Sequence, residues 1–111
     1  MQRVAFQLRI RPEKIEEYDA VHRQVWPELI RDLEQAGASE YSIFRHGTQL
    51  FLYLRVPDWD SFVAAMNASE ANQRWQKMME PIFEPNGGPM SDKGLTLMQE
   101  VFYMPGKSVE E

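Results

Sequence analysis

Hydrophobic and polar residues alternate over residues 3–10, near the start of the chain. The apolar residues fall at every second position: Val4, Phe6, Leu8 and Ile10. Because successive side chains of a strand point to opposite faces of a sheet, this period of two predicts a half-buried β-strand. Pro12 follows, a residue that is well tolerated in the first turn of a helix. The alternation therefore predicts a strand that gives way to a helix.

A helical period replaces the alternation in the next segment. Residues three or four apart share one face: Ile15, Tyr18, His22, Val25, Leu29 and Leu33. Pro27 interrupts this pattern, because proline disfavours helical geometry at the preceding Trp26 and lacks a backbone donor. We therefore predict two helices, 12–24 and 27–36, joined by a kink just before the proline. Gly37 ends the second helix.

Two extended runs follow, and their spacing is typical of a β-hairpin. Residues 40–45 and 49–56 are rich in aromatic and aliphatic side chains, and Gly47 lies in the short connection between them. A glycine in such a connection favours a tight turn between antiparallel strands. Asp58 then precedes a new helical pattern, where its carboxylate is suited to cap the helix.

The remaining residues predict one more helix and one more strand. Ser69 is suited to cap a helix whose apolar face carries Trp75, Met78, Met79, Ile82 and Phe83. The prolines and glycines of residues 85–89 predict a loop, and residues 95–104 predict the last strand. We expect one domain over residues 1–105, followed by a polar tail over residues 106–111.

This element order, β-α-ββ-α-β with each α a broken helix, predicts an α+β fold of the ferredoxin-like type. In that fold an antiparallel sheet has its helices on one face. The other face carries Phe51, Tyr53 and Phe102, and Tyr41 is a further candidate for it. Because the chain has no further element to cover these side chains, we expect a partner, most simply a second copy in a homodimer.

Composition narrows the class of protein. The chain has 111 residues, enough for one domain, and its net charge of −5 comes from 17 acidic and 12 scattered basic residues. Nucleic acid is therefore not an expected partner. The chain has no cysteine, which excludes disulfides and thiol nucleophiles. No apolar stretch has the length of a signal peptide or a membrane span, so we expect no membrane partner and a cytoplasmic location.

The sequence contains two histidines, His22 and His46, and only the first lies on an inward-facing helical position. Histidine exchanges protons near neutral pH, so His22 is a candidate acid–base residue. Packing at the edge of an aromatic cluster explains the same position, and periodicity does not choose between the two interpretations. Because no zinc-type histidine spacing and no glycine-rich phosphate loop is present, we expect neither metal nor cofactor.

A motif around this histidine resembles the signature of the L-rhamnose mutarotase family. It reads Tyr18-x3-His22-x3-Trp26-Pro27-Glu28-Leu29. Three shorter pieces agree in order and spacing: Gly37-Ala38-x2-Tyr41-Ser42-Ile43, Gln73-Arg74-Trp75 and Gln99-Glu100-Val101-Phe102-Tyr103. The resemblance covers about residues 3–105. It implies a small dimeric α+β barrel without a cofactor.

The resemblance also implies roles for individual residues. His22 matches the family's proton donor, and Tyr18 and Tyr41 match residues that contact the sugar. Trp75 matches the first member of a substrate-binding aromatic pair. Gln76 stands where the second member is tryptophan, which is a departure. The loop over residues 84–89 also departs from the family pattern, and both differences fall where we expect sugar specificity to be set.

These observations together predict a mutarotase that interconverts the α and β anomers of a deoxy-hexose, L-rhamnose first among them. In this hypothesis His22 donates a proton to the ring oxygen, and the identity of the base is open. Two alternatives share the expected architecture. One is a cofactor-free monooxygenase of the dimeric α+β barrel type, and the other is a sugar-binding dimer without catalysis. Fold alone does not distinguish them.

Overall fold

A computed structural model describes residues 1–85, 87–88 and 96–106 of the chain. The elements, in chain order, are β1 (Gln2–Arg9), α1 (Ile15–His22), α2 (Pro27–Gln35), β2 (Glu40–His46), β3 (Gln49–Val56), α3 (Trp59–Ala68), α4 (Glu70–Met79) and β4 (Thr96–Leu97). Two short 3-10 turns, Pro12–Lys14 and Glu80–Ile82, precede α1 and follow α4. Within the described ranges no helix is both long and apolar enough to cross a membrane.

The four strands form one antiparallel sheet in the order β2-β3-β1-β4. This order is the one produced when the two halves of a β-α-β-β-α-β chain interleave, so the ferredoxin-like prediction is confirmed. The central strands β1 and β3 pair over their whole lengths, with Phe6 opposite Leu52. The hairpin between β2 and β3 turns at Gly47, whose φ is 61°.

The core lies between the helices and one face of this sheet. Strand β3 alternates buried and more exposed residues along its length, as the sequence pattern predicts. The buried side chains of the two central strands are Phe6, Leu8, Leu50, Leu52, Leu54 and Val56. The helices contribute Leu29, Phe62, Met66, Trp75 and Met79 to the same cluster. Burial of these side chains drives the helices onto one face of the sheet.

The helix boundaries follow from local chemistry. Asp58 and Ser69 cap α3 and α4, each accepting a hydrogen bond from the backbone N–H group three residues on. Trp26 is extended, with ψ at 131°, because Pro27 starts the next helix. Gly37, with φ at 114°, follows α2; a Cβ there would lie 2.8 Å from a ring carbon of Pro57. These four predicted signals are confirmed.

The first predicted helix, 12–24, is shorter in the structure. Pro12–Lys14 forms a 3-10 turn, and the α-helix that follows ends at His22. The chain then needs an extended stretch to enter α2, because the residue before a proline avoids helical geometry. The predicted kink is therefore a break of four residues, 23–26.

The last predicted strand, 95–104, is wrong in its extent. Its described part pairs with β1 at Thr96 and Leu97, and one further hydrogen bond joins the Met98 N–H to the Ala5 carbonyl. Because Phe6 faces Leu97 in an antiparallel register, each later residue moves one step toward the start of β1. That register would place residues 98–101 opposite residues 5–2 of β1, but among the described residues the pairing ends with Leu97 and the Met98 hydrogen bond. Residue 95 and the end of the predicted tail, 107–111, lie outside the described residues.

The outer face of the sheet carries exposed apolar side chains, as predicted for Phe51 and Tyr53. Phe44 joins them, 65% exposed and directly opposite Phe51. Tyr41 does not belong to this face. It pairs with Leu54, which is buried, so it points to the side of the sheet that the helices cover.

Candidate active site

Two adjoining cavities of about 300 and about 510 Å³ open between the helices and the sheet. They share five lining residues: His22, Leu33, Tyr41, Ile43 and Trp75. All five residues predicted from the sequence line the smaller, inner cavity: Tyr18, His22, Tyr41, Trp75 and Gln76. The volumes fall in the range of small-molecule sites. The fold thus brings the predicted site residues together from α1, β2 and α4.

His22 is held by Tyr18, four residues earlier on α1. Their rings stack with centroids 4.1 Å apart, and Nδ1 of the imidazole lies 2.8 Å from the Tyr18 carbonyl oxygen. Because a carbonyl oxygen only accepts hydrogen bonds, Nδ1 carries the proton in the neutral ring. The other ring nitrogen, Nε2, then has a free lone pair.

The surroundings of His22 favour its neutral form. Burial desolvates the imidazole and lowers its pKa below the ordinary value of 6.5. The Tyr18 carbonyl and the carboxylate of Asp19 act in the opposite sense but do not outweigh desolvation. His22 is therefore mainly unprotonated near pH 7, with Nε2 able to accept a proton. The second histidine, His46, is exposed as predicted, but it is the last residue of β2 and not part of the hairpin turn.

Trp75 on α4 closes another side of the imidazole. It is buried, and its ring lies nearly perpendicular to His22 with centroids 5.4 Å apart. Trp26, in the break between α1 and α2, meets Trp75 in the same way at 5.1 Å. Sequence reasoning gave Trp26 a packing role, although its spacing of four from His22 already placed it near the site. Tyr18 and Trp75 therefore hold the imidazole in place, and Trp26 packs against Trp75.

Two tyrosine hydroxyls remain protonated in the site. Desolvation by burial raises the pKa of Tyr18, with smaller contributions from Tyr41 and Asp19. Tyr41 leaves 42% of its surface exposed, yet desolvation around its hydroxyl raises its pKa to about 12. Both groups are therefore neutral near pH 7 and can donate or accept hydrogen bonds.

A pair of amides lines the inner cavity. Gln76 donates from Nε2 to Oδ1 of Asn72 at 3.3 Å, and Asn72 donates from Nδ2 to the Met66 carbonyl at 3.1 Å. These bonds orient the Gln76 amide in an otherwise largely apolar wall. Sequence reasoning missed Asn72, although it lies one helical turn before Trp75 and Gln76.

The site contains aromatic faces, hydroxyls, amides and one imidazole. Among the residues that the structure describes, no three His, Asp or Glu side chains lie close enough together to hold a metal ion. Aromatic faces suit the C–H faces of a sugar ring, and hydroxyls and amides suit its OH groups. This arrangement can bind a small polar ring and move a proton at one edge of it.

The fold and the site together define a small α+β protein with a histidine in an aromatic cavity. Comparisons with known proteins agree with this description. The family model described as L-rhamnose mutarotase matches residues 3–104. A protein of Oceanobacillus iheyensis named L-rhamnose mutarotase is 35% identical over 108 residues, covering 94% of this chain and 99% of that protein. A relative of the same name from Escherichia coli O157:H7 is 33% identical over 95% of this chain and 100% of that protein. The chain belongs to the L-rhamnose mutarotase family.

Solved structures agree with this membership. The crystal structure of an L-rhamnose mutarotase from Formosa agariphila has a TM-score of 0.74 and 30% identity, covering 95% of this chain and 100% of that chain. An antibiotic biosynthesis monooxygenase has a TM-score of 0.62 at 21% identity, over 91% of this chain and 99% of that chain. The second likeness shows a shared fold alone.

Proposed function

We propose that this protein interconverts the α and β anomers of L-rhamnose, with His22 as its acid–base residue. One observation carries the chemical part of the proposal. The Nδ1 atom of His22 donates to the Tyr18 carbonyl at 2.8 Å, so Nε2 is the basic nitrogen of the neutral ring, and His22 lines a cavity of sugar size. Membership of the L-rhamnose mutarotase family supports the choice of sugar.

The proposed reaction moves one proton between two oxygens bonded to the same carbon. Nε2 of neutral His22 takes the proton of the anomeric hydroxyl, a carbonyl forms at C1, and the bond from C1 to the ring oxygen breaks. The imidazolium then delivers that proton to the released ring oxygen. Rotation about the bond between C1 and C2 followed by the reverse steps closes the ring on the other face. His22 is thereby both base and acid, so no second protein base is needed.

The other site residues bind and orient the sugar in this proposal. Tyr18 holds the imidazole, and the Tyr41 hydroxyl donates a hydrogen bond to a sugar hydroxyl. Trp75 supplies an apolar ring face against which the sugar packs. Gln76 gives a hydrogen bond in place of an aromatic contact. Holding the ring at a fixed distance from Nε2 lowers the entropic part of the barrier.

We also propose that the protein is a homodimer and acts in the cytoplasm. The exposed apolar side chains of the outer sheet face support the dimer, since Phe44 is 65% and Phe51 37% exposed. The segment after β4 adds Val101 at 92% and Phe102 at 80%. Exposed apolar side chains of this kind favour association. The absence of cysteine agrees with a reducing compartment.

Magnetisation transfer between the anomeric NMR signals tests the reaction directly. Catalytic amounts of protein should speed the exchange of L-rhamnose anomers. L-Mannose differs from L-rhamnose by a hydroxyl on C6. It is the matched comparison sugar, because Gln76 stands where the family has tryptophan and we expect sugar specificity to be set there. Absence of acceleration for every sugar of a panel of hexoses and deoxy-hexoses would remove the proposal, and acceleration of other sugars alone would remove L-rhamnose from it.

A further inference from the structure

A charged pair lies beside His22, on the side that faces β2. Arg45 donates from Nε and Nη2 to the two carboxylate oxygens of Asp19, at 2.8 and 2.7 Å. The pair lines a groove of about 340 Å³ together with Tyr18, His22, Arg23 and Ile43. Two parallel bonds from a planar guanidinium fix both distance and orientation. The proposed reaction assigns no role to either charged residue.

The pair connects the catalytic turn of α1 to the sheet. Asp19 follows Tyr18 directly and precedes His22 by three residues, so it lies on the same helical turn. Arg45 lies on β2, and its Nη1 also donates to the Gly47 carbonyl at 3.1 Å. The guanidinium is hydrogen-bonded both to the Gly47 carbonyl of the hairpin and to Asp19 of the helix. It therefore sets the position of this helical turn relative to β2.

The pair also controls a charge close to the imidazole. Asp19 favours the protonated form of His22, although desolvation by burial is the larger influence on its pKa. Arg45 is the main partner of that carboxylate and lowers the pKa of Asp19 through its hydrogen bonds. Arg45 is therefore the counter-ion of a carboxylate that itself acts on the imidazole.

Other charged or titratable groups face His22 from each element packed around it. Arg23 lies next to it at the end of α1, and Tyr41 of β2 is protonated near pH 7. Glu34 of α2 and Glu40 of β2 line the outer cavity that His22 also lines. Trp75 of α4 is uncharged. Among the residues that the structure describes, Asp19 is the one carboxylate that contributes to the pKa shift of His22.

We propose that Asp19 and Arg45 form a positioning and charge-balancing pair for His22. The fork of two parallel hydrogen bonds from Arg45 to Asp19 holds the Tyr18–His22 turn of α1 against β2, so that the imidazole keeps its position at the cavity. The guanidinium also offsets a carboxylate that by itself favours the protonated imidazole, the form that is unable to act as a base. The catalytic consequence rests on the proposed function, whereas the electrostatic effect concerns His22 itself.

Titration of the imidazole by NMR of its ring C–H signals tests the electrostatic effect without any sugar. His46→Gln assigns the signals, since the chain has two histidines. Arg45→Gln leaves Asp19 unpaired and should raise the pKa of His22. Asp19→Asn removes the anion and leaves the cation, and should lower that pKa. We expect shifts of about half a unit, because solvent screens these partly exposed charges.

The double variant Asp19→Asn/Arg45→Gln removes both charges and should bring the pKa of His22 back toward that of the wild type. Arg3→Gln is the matched control. Arg3 forms an equivalent fork with Glu100 at 2.8 and 2.7 Å on the outer face of the sheet. Loss of that fork should leave the His22 titration unchanged. Shifts of the two single variants in the same direction, or no shift in either, would overturn the proposal.

Arg45→Lys separates position from charge. It keeps the cation and loses the fork, so the pKa of His22 should stay near the wild-type value while anomer exchange slows several-fold. It also remains informative if the uncharged variants fail to fold. A lysine variant with full exchange activity would contradict the positioning role. Opposite pKa shifts in a protein that exchanges no sugar would support the pair and count against the proposed reaction.

Discussion

Trp75 meets the imidazole of His22 edge to face, with ring centroids 5.4 Å apart and the planes at 88°. Tyr18 stacks on the same imidazole at 4.1 Å. One aromatic partner comes from α1 and the other from α4. The orientation of His22 therefore depends on the packing of two helices that are distant in the chain. A change in the packing of α4 is expected to reach the reactive nitrogen.

Replacement of Trp75 by alanine should destabilise the protein and impair the site. The side chain is 6% exposed and touches both His22 and Trp26, so its loss leaves a cavity. We expect a loss of about 3–5 kcal/mol in the free energy of unfolding, measured by urea denaturation. Trp75→Phe should retain more of the stability. A loss below about 1 kcal/mol for the alanine variant would mean that this tryptophan does not organise the cavity.

The pH dependence of anomer exchange should report the neutral imidazole. Burial lowers the pKa of His22, and the proposed reaction begins with its unprotonated form. The value of kcat/KM should therefore fall as the pH falls, with a midpoint below the ordinary histidine value of 6.5, and should be flat just above neutrality. A rate that increases on acidification through this range would show that the protonated ring starts the reaction.

The Tyr41 hydroxyl should contribute to sugar binding. Tyr41→Phe removes one hydrogen-bonding group and keeps the ring, so we expect KM to rise about 5–10-fold. Tyr53→Phe is the matched control, since Tyr53 lines neither cavity and its hydroxyl donates to Glu40 at 3.3 Å. Equal effects of the two substitutions on KM would indicate that Tyr41 has no special contact with the sugar.

The outer sheet face should hold the proposed dimer together. Sedimentation of the wild type should give twice the 13.0 kDa of one chain. Phe51→Glu places a charge in the middle of the exposed apolar face and should shift the population toward single chains. A wild-type protein that sediments as one chain at micromolar concentrations would contradict the dimer.

Much of the fold was predictable because its signals are local. The period of two in β1 and β3, the caps at Asp58 and Ser69, and the break before Pro27 each depend on a few neighbouring residues. The last strand was not predictable in the same way. Its apolar pattern continues to residue 104, but pairing with β1 is described only at Thr96 and Leu97, and a local pattern does not show where contact with a strand from the start of the chain ends.

The site was predictable in part. Helical spacing placed His22 beside Tyr18, and the family motif added Tyr41, Trp75 and Gln76. The sequence does not determine which face of the sheet carries Tyr41, because β2 has apolar side chains on both faces and alternation alone does not orient such a strand. The fork between Asp19 and Arg45 was missed for another reason. It joins a helix to a strand 26 residues away, and only the folded chain brings the two charges together.

Anomer exchange measured by NMR magnetisation transfer for the wild type, His22→Ala and His46→Ala tests the central claim most directly. His46 is the matched control, an exposed histidine at the end of β2. The wild type and His46→Ala should accelerate exchange of L-rhamnose equally, and His22→Ala should lose about 10²–10⁴-fold of that acceleration. A folded His22→Ala variant with wild-type exchange would contradict the role of this imidazole.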